Sequence, residues 1–114
     1  MTAPALAARA RLFAALGDPA RLAMVERVAA GPVSVSALAR PLSLSLAAAV
    51  QHIQILERTG LLRTEKQGRV RLCRLEPQAL RTVEDWLTER RTAWNSAFDR
   101  LADLLTQPEP SRPE

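Results

Sequence analysis

Fourteen consecutive residues, Ser45 to Arg58, constrain this chain more than any other stretch: they read as an amphipathic helix whose second face is also nearly free of charge. At 100° per residue, Leu46, Ala49, Val50, Ile53 and Leu56 fall on one apolar stripe, the pattern of a helix packed on a core. The opposite side carries Ala47, Ala48, Gln51, Gln54 and Ile55, with Ser45 and His52 at its edge. Small residues let a helix backbone come close to another surface, and Gln, Ser and His offer hydrogen bonds without a fixed charge. A helix entering the DNA major groove needs that combination, because base edges are read by amide and imidazole groups and a thymine methyl by a small apolar side chain. A helix buried on both sides would carry the same residues, so the flanking segments decide between the two.

The charge distribution favours DNA. From Arg58 to Arg74 the chain holds Arg58, Arg63, Lys66, Arg69, Arg71 and Arg74 against Glu65 alone, while the remaining residues hold ten basic and eleven acidic groups. The whole positive excess of this +4 chain therefore lies directly behind the Ser45 helix, where an electrostatic footprint for phosphate belongs. Fifteen of the sixteen basic residues are Arg, whose planar fork grips phosphate with two hydrogen bonds. The candidate DNA contacts are thus Ser45, Ala47, Ala48, Gln51, His52 and Gln54 on the helix, and Arg58, Arg63, Lys66, Arg69 and Arg71 after it.

At 114 residues the chain has room for one modest core, expected over residues 1–106, followed by a disordered Pro-rich tail, 107–114. The longest uncharged run, Pro41 to Leu56, is 16 residues and interrupted by Ser, Gln and His, whereas a membrane span wants about 20 mostly apolar residues. With no apolar signal core near the N-terminus either, the expected location is the cytoplasm, with no membrane partner. A single cysteine, Cys73, excludes an internal disulfide and a Cys-rich zinc site.

In chain order, Leu6, Leu12, Phe13 and Leu16 predict a first helix from Pro4, ending at Gly17. Asp18-Pro19 opens a second, with Asp as cap and Pro where a missing N–H costs nothing, running to Gly31-Pro32. Val33 is expected to be extended. Ser34 caps a third helix reaching about Leu42, although Ala37 stands where a capping box would have Glu or Gln. With Leu42-Ser43-Leu44 as the turn, the third and fourth helices form a helix-turn-helix. After Thr59-Gly60 the period falls to 2. Leu62 to Lys66 and Arg69 to Leu75 flank Gln67-Gly68 as a β-hairpin. A long helix then runs from Pro77 to about Thr106. Its apolar positions, Leu80, Val83, Leu87, Trp94, Phe98, Leu101 and Leu105, follow heptad-like steps that call for a partner helix. The expected class is mainly α (α+β), a winged helix-turn-helix with a two-stranded wing and terminal dimerisation helices.

Several pieces carry a family resemblance: Leu16-Gly17-Asp18-Pro19-Ala20-Arg21, Leu38-Ala39, Val50-Gln51-His52-Ile53-Gln54-Ile55-Leu56-Glu57, Thr59-Gly60-Leu61-Leu62 and the wing Gly68-Arg69-Val70-Arg71. In this order and spacing, over roughly residues 9 to 105, the chain resembles the ArsR-type winged-helix transcriptional repressors. The resemblance implies a homodimer paired through the first and last helices, through Leu6, Phe13, Leu87, Trp94, Phe98, Leu101 and Leu105. It also implies that the fourth helix lies in the major groove of a palindromic operator, with the wing, residues 62–75, on the backbone or minor groove. The family's metal sensors use a Cys-x-Cys pair in the third helix, where this chain has Val35, Ser36, Ala37, Leu38 and Ala39. In the last helix they use Asp-x-His with a further His, but Asp85 is followed by Trp86 and Leu87, and no His follows His52. The chain is therefore closest to members without a recognised metal site, and neither a metal nor a cofactor is expected.

Individual residues keep a plainer alternative. His52, which matches the family's histidine, could read a base or phosphate, or simply bond to its neighbours. Cys73 could be a redox trigger among its Arg neighbours, but the strand alternation that pairs it with Leu75 favours a small buried hydrophobe. Trp86 and Trp94 could line an effector pocket, though aromatics in a long amphipathic helix more often serve a core or dimer contact; no residue pattern names an effector. One His, one Cys and no Gly-rich phosphate loop leave no constellation for catalysis, so no enzyme is expected. The competing class is a non-specific DNA-binding or protein-interaction winged helix.

Overall fold

A computed structural model describes residues 2–106; the tail expected to be disordered, residues 107–114, lies outside the described residues. The chain divides between Val83 and Glu84 into two compact units.

The first unit begins with helix α1, Ala3–Leu16, and helix α2, Pro19–Ala29. Both start where the sequence provides a cap: the Ala5 N–H donates to the Thr2 hydroxyl (3.2 Å) and the Arg21 N–H to the Asp18 carboxylate (3.0 Å). Strand β1, Val33–Ser34, leads into the short helix α3, Val35–Ala39, capped by Ser34 despite the incomplete capping box. A 3₁₀ turn, Arg40–Leu42, follows. Pro41 offers no N–H to continue an α-helix, which accounts for the tightening. Ser43 then adopts the left-handed conformation (φ 54°), at a cost of about 1–2 kcal/mol for a residue with a Cβ. That corner turns the chain into helix α4, Leu46–Arg58, with Ser45 as its cap rather than its first residue: its Oγ accepts the Ala48 N–H at 3.1 Å.

The end of α4 is closed by a full Schellman motif. The Gly60 N–H donates to Glu57 O and the Leu61 N–H to Leu56 O, both at 3.0 Å. Gly60, at φ 78°, takes the left-handed position that a side chain would strain. Leu56 and Leu61, which this motif brings together, are both fully buried.

Strands β2, Leu62–Gln67, and β3, Val70–Leu75, form the hairpin, in the register Leu62↔Leu75 through Gln67↔Val70. The turn is Gly68-Arg69, one residue later than expected from Gln67-Gly68. A type II′ turn takes positive φ at its first central residue only, and Gly68 (φ 63°) fills it, which frees Gln67 to pair with Val70. The sheet is also larger than the expected two-stranded wing. β1 pairs with β3 (Val33↔Cys73, Ser34↔Leu72), giving the order β1-β3-β2 with β3 in the middle. Two residues are too few to show a period of 2, so only the extension at Val33 was legible. The core gathers Leu12, Met24, Val25, Val28, Leu38, Ala49, Ile53, Leu56, Leu61, Leu62 and Cys73 from every layer of this unit.

Helix α5, Pro77–Thr106, contributes its first turns to this unit, where Ala79 is buried. From Glu84 on it constitutes the described part of the second unit. There Trp94 and Phe98 meet edge to face (centroids 5.0 Å, 88°) and the Arg90 guanidinium lies 5.6 Å from the Trp86 ring centre. Leu87, Trp94, Phe98, Leu101, Leu104 and Leu105 all remain exposed. Among the described residues no helix is long and apolar enough to cross a membrane.

Leu56 joins the helix terminus to the core, so Leu56→Ala is expected to lower the unfolding free energy by about 2–5 kcal/mol. Denaturant titration by circular dichroism measures this; a loss under about 1 kcal/mol would show that α4 is not seated through this side chain.

Candidate nucleic-acid interface

The orientation of α4 decides what this surface can touch. Ala49, Ile53 and Leu56 are buried, and Ala48, His52 and Ile55 are half-buried along one flank. Leu46, Ala47, Val50, Gln51, Gln54, Glu57 and Arg58 form one continuous exposed arc. The helix is therefore turned relative to the expected stripe. Leu46 and Val50, expected inside, face out, while Ile55, expected outside, packs against the core. The period gives the width of an apolar face, but the elements packed around α4, with Ala15 and Arg21 beside Ile55 and Val35 beside Val50, decide where its edges fall.

His52 lies on the covered flank. Its Nδ1 is 3.3 Å from an Arg21 guanidinium nitrogen and 3.9 Å from the Asp18 carboxylate. Arg can only donate, so this bond requires an unprotonated Nδ1 and puts the proton of the neutral ring on Nε2. Arg21 is itself fixed by donating from Nε to Ala15 O (2.8 Å) and from the guanidinium to Ala14 O (3.4 Å). The Arg21 backbone N–H, followed by the guanidinium charge, holds the Asp18 carboxyl below its usual pKa against the opposing effect of desolvation. His52 thus ties the middle of α4 to the start of α2 rather than standing on the outward arc. Ser45 accepts the Ala48 N–H in the first turn as described, and Ala48 sits at the arc's rim.

The hairpin brings the basic residues together. Glu65 accepts from Arg63 and from Arg74, each at 3.3 Å, so the one acidic residue of the segment is shared between two arginines. Lys66, Arg69 and Arg71 are exposed, and none has a carboxylate partner among the described residues. The register sets Lys66 directly across from Arg71, and like charges opposed in this way are destabilising unless an anion lies between them. Thr64 donates to Glu57 (3.2 Å), linking β2 to the last turn of α4 and engaging the only carboxylate on the outward arc. Arg58 bends back to Gln54 O at 3.4 Å. Sequence reading missed Leu46 and Val50 on the outward arc, the Thr64–Glu57 link and the Lys66–Arg71 opposition; the last two depend on strand register and have no local signal.

Residues 16–65 match a family described as a helix-turn-helix domain. The HTH-type transcriptional regulator Rv2034 of Mycobacterium tuberculosis is 35% identical over 95 residues, which cover 83% of this chain and 86% of that protein. The crystal structure of an ArsR family transcriptional regulator is 42% identical, superposing with a TM-score of 0.72 over 77% of this chain and 97% of the other. The chain belongs to the ArsR family. It is a winged-helix, DNA-binding transcriptional regulator. An ArsR-like transcriptional regulator from Rhodococcus sp. RHA1 shares the fold over 90% of this chain and 95% of its own, with a TM-score of 0.75 at 25% identity. In this ArsR-family member, no three His, Cys, Asp or Glu side chains among the described residues are grouped so as to hold a metal ion.

Cys73, in the central strand under α4, is fully buried. Burial first, and then the nearby Glu57 charge, push its thiol up to about 11, with Arg71 pulling weakly the other way. Because the folded pKa lies above the ordinary value of 9.0, the unfolded chain ionises first; the stability due to this thiol is intact below pH 9 and lost as pH rises towards 11. Cys73→Ala should therefore lose less stability than wild type across that window. A thiol reagent at pH 8 should leave the native protein untouched and label one thiol after denaturation. Rapid native labelling, or DNA affinity that shifts with oxidant, would show the thiol to be accessible.

Proposed function

We propose that residues 1–106 act as one cytoplasmic DNA-binding domain, a sequence-specific repressor that binds a two-fold-symmetric operator as a homodimer. α4 enters the major groove and the β2–β3 hairpin lies on the backbone or in the minor groove. The observation that carries this reading is the pairing of two surfaces. An outward helical arc presents Ala47, Gln51 and Gln54, and beside it a hairpin holds Lys66, Arg69 and Arg71 with no carboxylate partner among the described residues. Amides on a helix suit base edges, whereas long cations on a hairpin suit phosphates. Ser45, Ala48, Arg58 and Arg63 border these surfaces, and His52 positions α4 from behind.

The homodimer is supported by the exposed row Leu87, Trp94, Phe98, Leu101 and Leu105 of α5, large apolar side chains at heptad-like spacing that suit an association surface. Leu6 and Phe13 of α1 complete the proposed interface; Leu6 is exposed and Phe13 half-buried. The chemistry performed is binding alone, with no metal or cofactor assigned a role.

Phe98→Asp or Leu101→Asp should give monomer or aggregate and abolish tight operator binding, because a symmetric dimer engages two half-sites at once. Light scattering decides this, and a wild-type monomer at micromolar concentration would rule the dimer out. Gln51→Ala should cost about 1–3 kcal/mol on the preferred duplex and far less on random DNA. Arg69→Ala should weaken both duplexes alike and lower the magnitude of the salt slope by about one. The check is a titration of wild type and both variants on preferred and scrambled duplexes at several salt concentrations. If Arg69→Ala erased the preference while Gln51→Ala left it intact, reading and holding would be assigned to the wrong surfaces.

A further inference from the structure

The outward arc of α4 is not wholly polar. Leu46 is 60% exposed and Val50 37%, Val50 bordering the core residues Val35 and Ile53 from the outward side. Leu46 and Val50 stand one turn apart, so their Cβ atoms lie about 5–6 Å from each other along one ridge, which Gln54 continues. Ala47 and Gln51 form the adjacent ridge. Single exposed apolar residues are ordinary on protein surfaces. Here two are stacked on the arc that carries both exposed glutamines of α4, and Lys66, Arg69 and Arg71 crowd the neighbouring hairpin. A partner for this ridge must therefore combine an apolar point with dense negative charge around it.

We propose that Leu46 and Val50 are specificity-determining residues that read the 5-methyl groups of thymines in the major groove. The inference rests on α4 entering that groove. Of the four bases only thymine presents an apolar group there; the others present donors and acceptors that Leu or Val would bury unpaired. With a base every 3.4 Å or so along a strand, the spacing of the two side chains places their thymines one or two base steps apart. Gln51, on the adjacent ridge, then pairs with a base edge alongside. The Arg and Lys of the hairpin favour DNA over an apolar protein surface as the occupant of this ridge.

The test alters the DNA first, so it does not depend on any variant folding. A preferred duplex is selected from a randomised pool by the full-length protein, and each thymine in it is replaced in turn by uracil, which lacks only the methyl. Binding is read by fluorescence anisotropy for wild type, Leu46→Ala and Val50→Ala. Wild type should lose roughly fourfold in affinity at each of two thymines, one or two steps apart, in a half-site. Leu46→Ala should become indifferent to uracil at one of them and Val50→Ala at the other, with circular dichroism matching wild type. A strong preference for the selected duplex with indifference to every uracil would overturn methyl reading and leave groove entry standing. Undiminished uracil sensitivity in both variants would overturn it as well. Selection of no preferred duplex would overturn groove reading and this inference together.

Discussion

The outward arc of α4, proposed to meet DNA, depends on how the helix is seated. Ala49, Ile53 and Leu56 are buried against the core. Such an interior is packed as densely as an organic crystal, so the helix has one rotation in which these three side chains fit. Two polar devices reinforce it: the Schellman closure over Leu56 and Leu61 fixes its end, and the Arg21–His52 contact fixes its middle. Since one residue step turns a helix by 100°, a slip at this seat would take at least one of Gln51 and Gln54 off the outward arc and expose side chains now covered. The proposed base reading would thus draw on residues that never approach a base.

Electrostatics complement this packing. The hairpin crowds cations that it does not neutralise, with Lys66 facing Arg71 across the ladder and Arg69 in the turn between them. Like charges directly opposite on a ladder repel, a cost that the folded protein bears until an anion relieves it. Where neutralisation occurs it is local. Glu65 accepts from Arg63 and Arg74, and the Glu57 carboxylate accepts from Thr64. Exposed pairs of this kind add little stability. They do keep carboxylates engaged away from the hairpin tip, where phosphate would otherwise meet repulsion.

Within the second unit the constraint is reversed. Most large apolar side chains of α5 beyond Glu84 remain in water, and the Trp94–Phe98 contact covers only part of two rings. Isolated helices are marginal in water, and most helical stability in proteins comes from packing an amphipathic face. The proposed homodimer would supply that packing, and it would make folding of this helix and pairing of two recognition helices one event.

The order of elements was legible in the sequence because its signals are local. Asp18 and Ser34 each cap the helix they announce. The change of period after Gly60 marks the hairpin, and the basic excess behind the Ser45 helix marks the side proposed to face phosphate. Tertiary structure alone decided which residues occupy the edges of those elements. Ile55 moved inward because Ala15 and Arg21 stand beside it, whereas Leu46 is left outward and Val50 at the rim beside Val35. His52, at the boundary of both faces in sequence, found its partner in Arg21, 31 residues away. The pairing of β1 with β3, the one-residue displacement of the turn and the opposition of Lys66 to Arg71 all follow from strand register. Periodicity reports how much of an element is covered; which neighbour covers it is a non-local contact that only the folded chain makes.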